Sequence, residues 1–262
     1  MVNNIIRTGF GVAGSVIALC MYAVPAVTFK RVIKKRTTED FSGIPYLIAL
    51  FNCLLYTYYG SPLISNGWDN LVVMIVNAVG LLLEFCFISI YLIFAPPKTK
   101  RTMVRMLIGV LTVAGTIAAV SLFALHDQQQ KKFLVGTVGM VATVILYGSP
   151  LSVIRLVIKT KSVEFMPFNL SFFAFLSSTL WLAYGTLSKD IVIMAPNFIG
   201  LPLSLFQMIL YCIYRHKKSV RIEDGKLDAV EVDLEKNKAT EEACCCTEKT
   251  KPDQETEMQL KV

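Results

Sequence analysis

Two asparagines, Asn77 and Asn197, stand near the middle of long apolar stretches, each followed three residues later by glycine (Gly80 and Gly200). A carboxamide carries two donors and an accepting oxygen, which suits the hydroxyl groups of a neutral polyol. A membrane asparagine serves equally well to bond one helix to another. Tyr56 and Trp181 offer ring faces for the apolar C–H surface of such a ligand, with a polar edge free to find a partner. Rings of these types more often simply pack or sit in an interfacial belt. Glu84 follows Asn77 by seven residues, about 700° at 100° per residue, and so shares its helix face. An intramembrane carboxyl is a candidate for proton coupling, but no His or Asp stands within the apolar stretches to pass a proton on. A protonated or hydrogen-bonded packing role is therefore favoured. The sequence contains no nucleotide motif, metal-ligand cluster or nucleophile with its base, so neither an enzyme nor a cofactor is expected.

The elements that must position these residues are membrane spans. Of 262 residues, 54% are apolar and 17% charged, and mean hydropathy is +0.56. Soluble proteins average about 45–50% apolar and about 25% charged. The excess collects in long uncharged runs, which excludes a soluble enzyme, a nucleic-acid binder and a disordered scaffold. Seven runs approach the roughly 20 residues needed to cross hydrocarbon. They fall near Thr8–Phe29, Ile44–Leu63, Leu71–Phe94, Met103–Leu125, Phe133–Ile154, Phe168–Leu187 and Ile191–Tyr214. They do not alternate apolar with polar, so the fold class is all-α and the lipid bilayer is a partner. Residues 1–218 carry 19 Lys/Arg against 7 Asp/Glu, whereas 219–262 carry 7 against 12. One alternate set of connecting loops holds 16 basic residues and the other 4. By the positive-inside rule the basic side is cytoplasmic, with the N-terminus outside and the C-terminus inside.

The chain repeats itself. Pro25, the run Lys30-Arg31-Val32-Ile33-Lys34, Arg36 and Glu39 recur 125 residues later as Pro150, Arg155-Leu156-Val157-Ile158-Lys159, Lys161 and Glu164. Tyr59-Gly60 recurs as Tyr184-Gly185 at the same offset, Pro45 as Pro167 at 122, and Asn77 as Asn197 at 120. The expected organisation is residues 1–94 as one three-helix repeat, 95–130 as a linker with the fourth helix, 131–218 as the second repeat, and 219–262 as a disordered cytoplasmic tail. An odd number of spans would invert the second copy, and the linker span restores parallel orientation. Parallel copies commonly hold a substrate at their interface near the midplane. The first span has a counterpart deep in the chain and is kept as a span rather than a signal peptide.

Over about residues 5–215 this plan resembles the SWEET family of sugar facilitators, through the four matched prolines, the paired asparagines and the stretch from Tyr147-Gly148-Ser149-Pro150 to Met166-Pro167. The last run is similar to plant members. The resemblance implies a passive bidirectional uniporter for a neutral sugar, a homo-oligomer, and residence in the plasma or vacuolar membrane. It implies pocket walls at Asn77, Asn197, Trp181, Tyr56, Asn52 and Ser177, and at the positions seven and four before each cytoplasmic proline: Ala18 and Met21, Thr143 and Leu146. The bulk of Met21, Tyr56 and Leu146 predicts a monosaccharide-sized cavity. The same likeness makes Pro25, Pro45, Pro150 and Pro167 hinges of a cytoplasmic gate. On residue chemistry alone, Pro45 and Pro167 serve as helix starts, whereas Pro25 and Pro150 lie inside their spans and bend them. On the outer side Tyr59, Gly60, Gly185 and Asp190 match gate positions, although a loop acid such as Asp190 is more often solvated.

A seven-helix receptor shares the span count, but the duplication argues against it; a proton-coupled carrier using Glu84 is the other alternative. Gly9, Gly11 and Gly14 suggest close helix approach, because no P-loop lysine follows. Cys20, Cys53, Cys86 and Cys212 lie in apolar spans, so no outer disulfide is expected. Cys244-Cys245-Cys246 is a candidate for lipidation or metal binding.

Overall fold

A computed structural model describes residues 2–39, 41–163 and 166–215. Glu164, the expected tail and Cys244-Cys245-Cys246 lie outside the described residues. Among the described residues the regular structure is helical: α1 (Val2–Ala23), α2 (Pro25–Lys35), α3 (Ile44–Gly60), α4 (Leu71–Phe94), α5 (Pro97–Ala119), α6 (Gln128–Leu146), α7 (Gly148–Thr160), α8 (Phe168–Ser188) and α9 (Ile191–Arg215). A π turn, Val120–Ala124, continues α5. These helices form seven membrane spans in a 3+1+3 arrangement.

Two of the spans, α1 with α2 and α6 with α7, each run 33 residues and are interrupted part-way. The interruptions come at the repeat-related prolines. Proline 25 has no N–H for the carbonyl of Met21, which accepts from Val24 instead at 3.2 Å. In the second copy Tyr147 takes the turn between helices, and Pro150 sits in the first turn of α7. Pro45 stands in the first turn of α3 and Pro167 caps the start of α8, so both occupy helix-start positions.

Several ends differ from hydropathy. α3 stops at Gly60 rather than near Leu63, leaving 17 residues, about 26 Å at 1.5 Å per residue. Pro62 is the physical reason: the residue before a proline is driven out of the helical region, and Ser61 is extended at ψ 156°. Helices α2 and α7 run past the apolar stretch into basic interface sequence, because backbone hydrogen bonding continues where hydrophobicity ends.

Within the first copy α3 lies along α4, and α1 packs on α4. Between copies α1 packs on α8 and α6 on α3. The offset of 125 carries α1 onto α6 and α3 onto α8, so each of these contacts is the image of the other. That is the signature of a pseudo-two-fold axis running between the copies. One apolar cluster joins both copies through Tyr56, Tyr59, Val135, Tyr184 and Val192. A second belongs to the first copy and the linker, with Phe29, Leu47, Phe87, Tyr91 and Met103. Phe29 stacks on Phe87 there at 4.8 Å. The linker span is fastened to the first copy by a 2.6 Å hydrogen bond between Ser121 and Tyr58.

Candidate functional site

The axis passes through a cavity of about 390 Å³, within the range of small-molecule pockets. Nine of the residues expected at a pocket line it: Ala18, Met21, Asn52, Tyr56, Asn77, Thr143, Ser177, Trp181 and Asn197. Leu146 does not. It is the last residue of α6, immediately before the turn at Tyr147, and Tyr147 lines the cavity there.

The two asparagines are held alike. Each amide donates to the carbonyl four residues back, Asn77 to Val73 at 2.8 Å and Asn197 to Ile193 at 2.7 Å. This back-bond fixes each side chain against its own helix and leaves its carbonyl oxygen and second amide hydrogen for other partners. At Asn77 the oxygen accepts weakly from Tyr22 at 3.4 Å. Tyr22 and Tyr147 are pocket residues that the sequence reading passed over. They are 125 residues apart, three before Pro25 and Pro150, so the repeat offset was the signal that would have found them. Each ring lies against the glycine of an Asn-x-x-Gly pair: a Cβ on Gly80 would meet Tyr22 at 2.9 Å, and one on Gly200 would meet the Tyr147 hydroxyl at 2.5 Å.

Repeat-related aromatic pairs form the outer wall. Trp181 meets Tyr184 edge-on at 5.5 Å, and Tyr56 meets Tyr59 edge-on at 6.2 Å. Gly11 and Gly14 make room for Tyr184 and Trp181, and Gly136 and Gly139 for Tyr59 and Tyr56. Gly9, expected at a close approach, faces open space instead. The walls are not chemically equal. Asn52 donates to Thr143 at 2.7 Å across the copies, whereas their counterparts, Ser177 and Ala18, cannot reproduce that bond. One wall is thereby polar and tied, the other small and smooth.

Outside the aromatics the copies close on each other. Tyr59 donates to both oxygens of Asp190, at 2.7 and 2.9 Å. Tyr184 donates to Asn70 at 3.3 Å, the residue 120 positions before Asp190. Asn70 in turn donates to Asp190 at 3.2 Å, and the Val192 amide at 3.2 Å. Lys132 pairs with Asp190 at 2.8 Å and lies 5.5 Å over the Tyr59 ring. Asp190 is 4% exposed, which corrects the expectation of a solvated loop acid. Burial is tolerated because four donors surround the carboxylate. Arg7 is the repeat counterpart of Lys132, and its Nε is buried with no hydrogen bond among the described residues. One outer corner is thus charged and paired, and its mirror corner is built on the neutral Asn70.

Gly60 and Gly185 sit where helices nearly touch. A Cβ on Gly60 would lie 2.7 Å from the Met74 amide nitrogen, and one on Gly185 would lie 2.8 Å from that of Met194. Backbone cannot give way as a flexible side chain can. Gly60→Ala therefore lowers stability by about 1–3 kcal/mol, roughly 2–12 °C in the melting midpoint of the purified chain. An unchanged midpoint would show that α3 and α4 separate freely here.

Comparison with known proteins decides the family. A family model described as "Sugar efflux transporter for intercellular exchange" matches residues 8–99 and 133–219. The chain belongs to the SWEET family. It is 50% identical over 226 residues to rice "Bidirectional sugar transporter SWEET3b", covering 86% of this chain and 90% of that one. To Arabidopsis "Bidirectional sugar transporter SWEET3" it is 45% identical over 235 residues, 90% of this chain and 89% of that one. A solved eukaryotic SWEET transporter superposes with a TM-score of 0.79 at 36% identity, covering 82% of this chain and all of the other. The resemblance read from the prolines and asparagines is borne out, and SWEET proteins are sugar transporters rather than enzymes.

Proposed function

We propose that the chain is a passive, bidirectional uniporter for a neutral monosaccharide, glucose or another hexose, working by alternating access. The observation that carries this reading is the lined cavity on the axis between the copies, with Asn77 and Asn197 held in matching geometry on either side. In this reading a sugar hydroxyl pair engages each carboxamide while its C–H face lies on Trp181 and Tyr56. Asn52, Ser177, Ala18, Met21 and Thr143 shape the walls. Met21, Tyr22, Tyr56 and Tyr147 crowd the cavity, which favours one sugar ring over two.

Hydrogen bonds seen to cross between the copies sit at the cavity or outside it, from Asn52–Thr143 outward to Tyr59–Asp190. That pattern supports a conformer closed on the outer side. Opening would part Tyr59, Asp190, Gly60 and Gly185 while the segments beyond Pro25 and Pro150 swing together, with Pro45 and Pro167 setting the helix starts that follow. The basic loops support an outside N-terminus and a cytoplasmic C-terminus. Residues 1–94 and 131–218 act as the rocking units around the 95–130 linker. A homo-oligomer in the plasma or vacuolar membrane follows from family likeness.

Radiotracer flux into liposomes carrying the purified chain tests the reading. Glucose is expected to equilibrate without a proton gradient and to move faster than sucrose. Faster sucrose would overturn the monosaccharide assignment. Glu84 is 4% exposed, and its Oε2 has no hydrogen-bond partner among the described residues, which keeps proton coupling open to trial. Uptake unchanged by a protonophore is the expected result. Collapse of uptake, with recovery at acidic external pH, would make the chain a proton-coupled carrier.

A further inference from the structure

The two cavity asparagines are held alike but are not neighboured alike. On the Asn77 side the Tyr22 hydroxyl donates to the amide oxygen at 3.4 Å and accepts from the Cys53 thiol at 3.4 Å. On the Asn197 side the repeat-related Tyr147 gives its hydroxyl to the Pro196 carbonyl at 2.9 Å. Among the described residues the Asn197 side chain bonds to Ile193 alone.

Two differences between the copies accompany this. The first span breaks at Val24, beyond Tyr22, so Tyr22 belongs to regular helix; the second copy breaks at Tyr147 itself. The place of Pro196 is taken in the first copy by Val76. Pro196 has no N–H for the Val192 carbonyl, which accepts from Tyr56 at 3.3 Å instead. The second-copy tyrosine is thus committed to backbone, whereas Tyr22 meets side chains.

The Tyr22 ring is seated but its hydroxyl is underused. A Cβ on Gly80 would lie 2.9 Å from two ring atoms and 3.0 Å from the Cys53 sulfur, so the ring fills the notch that Gly80 leaves on α4 beside α3. Bonds of the O–H···O type cluster at about 2.7–2.8 Å, and a thiol is a weak donor. Both polar contacts of the hydroxyl are therefore feeble, and a better acceptor can claim its hydrogen. The Asn77 oxygen stands next to it, and both residues line the cavity. A donor and an acceptor side by side match two adjacent hydroxyls of a sugar ring, one accepting from Tyr22 and the other donating to Asn77.

We propose that Tyr22 is a specificity-determining residue that reads, together with Asn77, an adjacent pair of sugar hydroxyls, so that the sugar sits in one orientation about the pseudo-two-fold axis. Asn197 takes the other end through its carboxamide alone. A ring already packed against Gly80 loses little freedom when the sugar arrives, which favours this side for the tighter contact. The assignment deepens the monosaccharide reading above and rests on it.

The test is competition for tracer glucose uptake into liposomes carrying the purified full chain, with glucose and the series of monodeoxyglucoses as competitors. It compares the parent with Tyr22→Phe and Tyr147→Phe. Tyr22→Phe keeps the ring and removes the hydroxyl, so its melting midpoint should stay within about 2 °C of the parent. Glucose should compete about 5- to 12-fold less well against uptake by this variant. In the parent, losing a hydroxyl that the protein reads should weaken a competitor by a similar factor. In Tyr22→Phe that factor should fall below about twofold at one ring position and persist at the others. Each ratio is taken within one protein, so expression and stability do not enter it. Tyr147→Phe should keep the parental ratios. Unchanged glucose competition in Tyr22→Phe, parental deoxy ratios in that variant, or the same loss in Tyr147→Phe would overturn the proposal and leave the monosaccharide reading standing. No glucose uptake by the parent would overturn both.

Discussion

Asn197→Ala is expected to abolish sugar uptake while the protein still reaches the membrane. Among the described residues the asparagine side chain bonds to Ile193, within its own helix, so truncation frees one carbonyl that a water in the cavity can satisfy. The fold loses little. A bound sugar loses two or more hydrogen bonds in a desolvated pocket, each worth about 1–1.5 kcal/mol net and more where a partner is left unpaired. The combined effect is about 30- to 150-fold in uptake, and more if the carboxamide also orients the sugar during the switch. Tracer uptake normalised to surface abundance measures it. Asn77→Ala should behave alike, because its back-bond to Val73 has the same geometry. Uptake at the parental rate in the Asn197 variant would remove the paired carboxamides from the site.

Asp190→Ala should cost nearly as much by another route. Its carboxylate receives Tyr59, Asn70, Lys132 and the Val192 amide. Its loss leaves Tyr59, Asn70 and the Val192 amide without their acceptor, while Lys132, 38% exposed, keeps its contact with water. Buried donors left unpaired cost about 1–3 kcal/mol each, about 3–4 kcal/mol for this set, to which the half-exposed lysine adds little. In a carrier that alternates between two states, that cost falls on the outward-closed state alone. The balance then moves by about 10²- to 10³-fold toward the open form, and net uptake falls at least tenfold because one half-cycle becomes rare. Asp190→Asn keeps neutral acceptors and should lie between the two. The direct check is the accessibility of a cysteine placed at Ser177 to a membrane-impermeant thiol reagent from outside, in a background lacking exposed native cysteines. Accessibility and uptake equal to those of the parent would show that these bonds do not hold the outer side shut.

Much of this site was legible because duplication writes geometry into arithmetic. Residues separated by 125 or 120 must occupy equivalent places if the copies fold alike, and Asn77 with Asn197, Trp181 with Tyr56, and Asn52 with Ser177 do line one cavity. Tyr22 and Tyr147 obey the same rule and were passed over, since an aromatic residue inside an apolar run looks like packing until its neighbours are known. Leu146 fails for the opposite reason. Its distance from Pro150 is right, but it stands at the last position of α6, where the next residue, Tyr147, takes the place at the cavity.

Asp190 marks the limit most clearly. Sequence places it in a short connection between α8 and α9, where acids are usually hydrated. Its burial depends on Tyr59, 131 residues away and brought by the contact of one copy with the other, and on Lys132, 58 residues away in its own copy.

Hydrophobic run length and loop charge act locally, through the cost of placing backbone and ions in hydrocarbon, so the chain alone determined the seven spans, their expected direction and their 3+1+3 duplication. Which faces meet across the axis, which amide hydrogens remain free, and what shuts the outer end arise from contacts between distant segments. Those depend on side-chain shape and pairing summed over both copies. Only the folded molecule decides them.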